Sequence, residues 1–367
     1  MHAEHRDDPR VDGNRAEDAA AGAGAEVAGR YYADVVGPLL QQYRPGLAHA
    51  AGRLGGGSDV LGLDDTTSRD HDWGLRLTLL VDEPLTAEVD ALLERELPAT
   101  VDGLPVRFAT TWDSIVRHRV DVTSVDAFVR SRLGVDARAP LAVEEWLAVT
   151  GQSVLEVTAG PVFADTDGRL STVRDHLAWY PRDLWLHLVA VDWARLGEEL
   201  PFVGRTGSRG DDLGSRLVAA RLAGVLVHLG FLLERRWPPY AKWRAAVGAG
   251  LPAAGPALRG LAAALGADGW REREEALCVT ADLLLDVQRR AGLPTDPRRP
   301  AVVPFHDRPF RGIAPHVEEV LLAAIRDPRV RSLPRGVGSV EQWSDNVRVL
   351  TTPALRHPLQ PGRQPLG

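Results

Sequence analysis

A chain of 367 residues, 44% hydrophobic and 25% charged, is long enough to bury one or two cores and has the balance of a globular protein. Its formal net charge of -7 argues against non-specific binding to nucleic acid or an anionic membrane, both of which want a basic surface. A small cationic substrate, or a triphosphate held by a few arginines, remains compatible with that charge. One cysteine, Cys278, excludes an intrachain disulfide, and no basic stretch followed by an apolar run marks a secretory signal, so a cytoplasmic setting is expected. Of the 43 basic residues, only Lys242 is a lysine.

Residues 1–25 are rich in Ala, Gly, Asp, Glu and His, with too little apolar surface to offset ordering entropy, and read as a disordered leader. From Gly29 to Arg53 the apolar spacing is helical, divided at Pro38 and Pro45. Gly55-Gly56-Gly57-Ser58 marks a tight turn, followed by a polar loop and a strand expected over Asp70–Val81. A helix is expected at Thr86–Glu96 and strands at Pro105–Thr111 and His118–Thr123. Beyond Ala139 the pattern is helical: Leu141–Val149, Pro181–Leu200, Asp211–Arg236, Tyr240–Gly248, Gly269–Ala291 and Pro315–Ile325. The apolar stretch Leu213–Leu233 contains Arg216, Arg221 and His228, which suits a buried core helix better than a membrane span. The fold class expected is α+β: a mixed sheet with helices over 26–138, a helical domain over 139–351 and a Pro-rich tail over 352–367.

The chemistry concentrates between Gly55 and Thr78. Alternation in a strand places Asp70, Asp72, Gly74, Arg76 and Thr78 on one face, and His71, Trp73, Leu75, Leu77 and Leu79 on the other, buried one. Carboxylates at i and i+2 have Cα atoms about 7 Å apart and can converge on metal ions ~4 Å apart. Such like charges are unfavourable unless a cation neutralises them, and Mg2+ suits the task because it takes few carboxylates and leaves room for phosphate oxygens. Asp121, between Val120 and Val122, is a third candidate carboxylate; a sheet face open to solvent is the other reading of it. A solvated strand edge is likewise the alternative for Asp70 and Asp72.

A Gly-Ser turn at Gly57-Ser58, a loop, Asp70-His71-Asp72 and a later strand with Asp121 resemble the polymerase-β-like nucleotidyltransferase superfamily. The resemblance implies a Gly-Ser turn that cradles the triphosphate and three carboxylates that hold two Mg2+ ions. A closer resemblance, to the bacterial family of domain of unknown function 4037, rests on six blocks in order: GSDVLGLDDTTSRDHDWG, WYPRDLW, FVGRTGSRGDDLGSRL, FLLERRWPPYAKW, HDRPFRGI and GSVEQW. It supports the fold and not a reaction.

Antibiotic nucleotidyltransferases of the superfamily also place a lysine from a helical domain on the nucleotide phosphates, which singles out Lys242; a solvated lysine beside Trp243 is the bland reading. Arg216, with Arg205 and Arg209, flanks Asp211-Asp212 and is either a phosphate ligand or half of an ordinary i,i+4 pair with Asp212. The expected activity is therefore transfer of a nucleoside monophosphate from NTP to an unidentified acceptor hydroxyl, with the helical half supplying the acceptor pocket. A non-catalytic nucleotide-binding or regulatory module is the rival, and an enzyme modifying tRNA is disfavoured by the acidic charge. Cys278 and the tryptophans are expected in packing roles.

Overall fold

The computed structural model describes residues 24–64 and 74–356. The leader expected over 1–25 lies almost wholly outside them. The chain forms two compact units, one comprising residues up to 132 with 136–139 and 155–176, the other 133–135, 140–154 and 177 onward. Sequence reading placed the boundary once, near 139; a later segment instead returns to the first unit.

The first unit opens with α1 (Gly24–Tyr31) and α2 (Gly37–Tyr43), joined by a π-helical turn and with Pro38 in the first turn of α2, where its missing N–H costs nothing. Strand β1 (Ala50–Gly52) follows, then β2 (Arg76–Leu80) and α3 (Thr86–Glu96). The short pairs β3 (Thr100–Val101), β4 (Leu104–Pro105) and β5 (Arg107–Phe108) lead to β6 (Arg117–Thr123) and α4 (Val125–Leu133). After α5 (Val143–Ala148) and α6 (Gly151–Thr158), the chain adds β7 (Val162–Asp165) and α7 (Arg169–His176). The sheet order is β5-β6-β2-β1-β7, with β2 and β6 parallel and the other pairings antiparallel.

Leu75, Leu77 and Leu79 are buried as the alternation requires, packed with Tyr31, Leu40, Val89, Leu93 and Val120. Burying one such leucine contributes about 2 kcal/mol. Thr78 and Leu80 are buried as well, so β2 is a central strand covered on both faces rather than one with an open face. Two strands escaped the sequence pattern. Ala50-Ala51-Gly52 has no β-former and was assigned to a helical stretch; it is a strand because an added Cβ at Gly52 would stand 2.7 Å from the Pro161 carbonyl, and only small residues fit between β2 and β7. β7 lies inside the expected helical domain, between the helices expected at Leu141–Val149 and Pro181–Leu200. The strand expected at Pro105–Thr111 shrinks to two residues in β5.

The second unit is helical around α8 (Arg182–Gly207), α9 (Asp212–Leu233), α10 (Ala241–Ala249), α11 (Gly255–Arg259), α12 (Leu261–Gly266) and α13 (Trp270–Arg290). A hairpin of β8 (Val302–Pro304) and β9 (Arg311–Ile313) precedes α14 (His316–Ala323), α15 (Pro328–Arg331), α16 (Val340–Trp343), α17 (Val347–Thr351) and α18 (Pro353–Arg356). α8 runs through Pro201 where a stop at Leu200 was expected, and Arg356, in the expected tail, is buried. Among the described residues α9 alone is long and apolar enough to cross a membrane, and most of it is packed, along α8 above all. Cys278 is buried, and burial pushes its thiol pKa far up, which fits an inert core thiol.

Two interior features tie these helices together. Trp146, Trp179, Tyr180 and Trp237 form one aromatic cluster, with Trp237 centroids 4.6 Å from both Trp179 and Tyr180 and 5.9 Å from Trp146. Beside it runs a buried polar chain. Asp192 of α8 accepts from His228 Nδ1 of α9 at 2.7 Å and from Gln342 Nε2 of α16 at 2.8 Å, while the Glu341 carboxylate accepts from Gly151 N at 2.8 Å. Burial by itself lowers the His228 pKa, but the adjoining Asp192 carboxylate overrides it and holds the imidazole above its ordinary value.

Folding therefore takes up a proton at His228. That stabilisation is complete below about pH 6.5 and is lost as pH rises through the folded-state value. The melting temperature should fall as pH is raised above about 6.5, and Asp192→Asn should flatten that slope. A calorimetric pH series with equal slopes in both proteins would exclude the pair as its source.

Candidate functional site

The turn singled out in the sequence is organised by a residue that the sequence reading passed over. Arg53, 2% exposed, donates from Nε to Asp59 Oδ2 at 2.6 Å and from Nη2 to Asp59 Oδ1 at 2.9 Å. It also donates to the carbonyls of Leu54 (2.8 Å) and Gly56 (3.2 Å). A peptide plane holds its C=O and N–H in opposite directions. With the Gly56 carbonyl drawn to Arg53, the Gly57 N–H points away from it. Gly55 N is satisfied by the Glu156 carbonyl at 2.8 Å, whereas the N–H groups of Gly56, Gly57 and Ser58 donate to no described group. Successive outward N–H groups on a left-handed turn make an anion-binding concavity. Gly55 at φ +83° and Gly57 at φ +147° supply the backbone it requires.

Ser58 is half-buried in helical conformation and its carbonyl accepts from Leu61 and Leu63, closing the short helical turn Asp59–Leu61. Asp64, one of two extra acids in the loop, accepts from Gly24 N at 2.9 Å and so caps the start of α1. Asp65, Asp70 and Asp72 lie outside the described residues. The described chain resumes at Gly74, where φ is +154° and the Arg76 N–H bonds to the Gly74 carbonyl at 2.8 Å, a bend immediately before β2.

Asp121 is exposed on β6 and registers with Thr78 of β2, as Arg119 does with Arg76. It thus shares the face that the alternation assigns to Thr78. In the sequence Asp72 stands six positions before Thr78, about 20 Å if fully extended; the bend at Gly74 interrupts that line. Among the described residues no group of three His, Cys, Asp or Glu side chains is placed to hold a metal. Arg119 is committed elsewhere, with bonds to the Phe108 carbonyl (2.8 Å), the Asp113 carboxylate (2.7 Å) and the Ile115 carbonyl (2.5 Å). The loop so fixed carries Trp112, 60% exposed under the Arg76 guanidinium, an exception to the packing role expected of tryptophans.

In the second unit Lys242 is exposed, with its ammonium 4.7 Å from the Trp243 ring centroid. Arg216 makes the i,i+4 pair, Nε to Asp212 Oδ2 at 2.6 Å, and Asp212 also accepts from the buried Arg273 at 2.8 Å. Hydrogen bonds from those two arginines hold the Asp212 pKa below the usual carboxylate range.

Because an added Cβ at Gly57 would meet Asp59 Oδ1 and stand 2.6 Å from Arg53 Nη2, Gly57→Ala should break the buried pair. We expect a loss of about 3 kcal/mol in urea unfolding, the range for disrupting a buried ion pair. A loss below about 0.5 kcal/mol, the size of a neutral surface change, would show that the turn does not depend on Arg53.

Comparison with known proteins adds a family. The model for Domain of unknown function (DUF4037) matches residues 146–244, which contain the whole aromatic cluster and three of the six blocks read from the sequence. The blocks GSDVLGLDDTTSRDHDWG, HDRPFRGI and GSVEQW lie outside that match. No curated protein matches the chain. Among solved structures, a nucleotidyltransferase-like protein from Exiguobacterium sibiricum 255-15 is similar over 76% of this chain and 82% of its own, with 13% sequence identity and a TM-score of 0.33. Residues 146–244 are thus similar to the family described as domain of unknown function DUF4037.

Proposed function

We propose that the protein is a Mg2+-dependent nucleotidyltransferase that moves a nucleoside monophosphate from NTP to an acceptor hydroxyl. The observation that carries this reading is the trio of N–H groups at Gly56, Gly57 and Ser58 that donate to no described group, that of Gly57 turned outward by the Arg53 bond to the Gly56 carbonyl, followed in the chain by Asp70-His71-Asp72. Gly57 and Ser58 take the β- and γ-phosphates, where backbone N–H groups approach closely and are fixed in advance. Asp70 and Asp72 are the proposed ligands of two Mg2+ ions, with Asp121 as the third carboxylate. When bound, the ions neutralise the phosphates and acidify the acceptor hydroxyl. Phosphoryl-type transfer otherwise asks the protein mainly for positioning and charge.

Lys242 and Arg216 are the proposed side-chain donors to the phosphates. The Lys242 ammonium pairs with no described carboxylate, and the Arg216–Asp212 pair is exposed enough that exchanging it for a phosphate costs little. The acceptor is a small molecule or a macromolecule other than nucleic acid, in a cytoplasmic setting away from membrane. The second reading is nucleotide binding without turnover, by a regulatory module of the same fold. Pyrophosphate release in the presence of acceptor extracts separates the two.

Asp70→Asn and Asp72→Asn should each abolish Mg2+-dependent stabilisation by NTP, read as a thermal shift with all four nucleotides, while far-UV circular dichroism stays unchanged. Wild-type behaviour in both variants would sink the metal assignment. Lys242→Ala should weaken NTP binding by roughly tenfold, the size of one charge-assisted hydrogen bond, with Lys242→Arg recovering only part. Unchanged affinity in the alanine variant would remove Lys242 from the site.

A further inference from the structure

Residues of two of the sequence blocks, FVGRTGSRGDDLGSRL and HDRPFRGI, meet in the second unit. The end of α8 and the turn after it contribute Arg205, Ser208 and Arg209, and the loop of the β8–β9 hairpin contributes Arg308 and Asp307. Together they line a cavity of about 530 Å³. None of the three arginines forms an ion pair with a described carboxylate; Arg205 has only the Phe202 ring, 5.3 Å from its guanidinium carbon. Asp307 is the only carboxylate in the lining. In a chain of net charge -7, three guanidinium groups thus share one cavity with one acid.

The walls are fixed rather than incidental. Backbone bonds from Ser208 to Gly204, Arg209 to Thr206, Gly210 to Gly207 and Asp211 to Thr206 close the end of α8, with Gly210 left-handed at φ +81°. On the other side, Phe305 N bonds to the Phe310 carbonyl at 2.9 Å and Arg308 N to the Phe305 carbonyl at 3.1 Å. Between them His306 adopts φ +53°, a left-handed conformation uncommon for a non-glycine residue. Phe310 then docks the hairpin onto α8 at Gly204, where any Cβ would collide with the Phe310 ring and Trp270. That contact brings Arg308 to the Arg205–Arg209 side. The helix dipole favours cations at the C-terminal end of α8 and accounts for Arg205 and Arg209, but not for a third arginine delivered by a separate hairpin.

We infer that this cavity is a binding site for a phosphate-bearing small molecule, held by Arg205, Arg209 and Arg308 with the Ser208 hydroxyl. Planar guanidinium groups match phosphate oxygens in pairs, and the volume admits a phosphomonoester or a diphosphate. The site needs no divalent ion, because its positive charge is carried by the protein. Its chemistry thereby differs from that of the proposed metal centre.

Calorimetric titration of the full chain with pyrophosphate in EDTA tests this. Wild type and Asp70→Asn should bind alike, with affinity falling as salt is raised. The exposed pair Arg209→Gln/Arg308→Gln should fold normally by circular dichroism and lose affinity on the order of tenfold for each guanidinium. Displacement of pyrophosphate by glucose 6-phosphate and not by ATP identifies a phosphomonoester site, and the reverse identifies a nucleotide tail. Absence of binding in EDTA, wild-type affinity in the double variant, or displacement by neither competitor overturns the proposal.

Discussion

A guanidinium withdrawn from water must find acceptors for its N–H groups, and in the first unit that requirement shapes the turn on which the functional reading rests. Arg53 is satisfied by one carboxylate and two backbone carbonyls, all within six residues of itself. Those acceptors cannot be supplied unless the glycine run folds back around the side chain. The turn's conformation is thus the solution to a desolvation problem, and the outward Gly57 N–H is a by-product of satisfying the arginine. Gly160 closes the arrangement from behind, since a Cβ there would overlap the Arg53 carbonyl.

The second unit solves a different problem. Long apolar helices such as α8 and α9 can slide along one another, because leucine-rich faces fit in more than one register. The aromatic cluster and the Asp192–His228–Gln342 chain remove that freedom. Flat rings meet edge to face at set distances, and a buried carboxylate with two directional donors tolerates one alignment of three helices. Glu274 adds a carboxyl with almost no compensation: burial raises its pKa to about 7, and its one described backbone donor, Arg311 N, is 3.3 Å away.

How much of this could be read beforehand depended on whether a residue's role was periodic. α3, α9, α13 and β6 emerged within a few residues of their expected bounds, because their buried positions recur at 3.6 or 2. Val89, Leu92 and Leu93 in α3 are a direct instance. β1 was missed because its small residues carry no strand pattern, and β7 because its four residues fall between two expected helices. Arg53 was missed although an arginine just before a glycine run and an aspartate just after it was visible. Strand parity put Asp121 on one face with Arg119 and Thr123, but parity says nothing of register, and the pairing of Asp121 with Thr78 appears only when β2 and β6 are laid side by side. Asp70 and Asp72 lie outside the described residues, so the centre of the expected site still rests on sequence.

The arginine-rich composition has one more consequence, at Lys242. With every other basic side chain a guanidinium, the protein presents a single ε-amine, exposed in the first turn of α10. An amine-selective reagent has one side chain to modify, and a lysine-specific protease has one bond to cut, inside the DUF4037 segment. The chain is in this sense already engineered for attachment: a fluorophore, crosslinker or surface tether joined at Lys242 reports from a known position without any substitution.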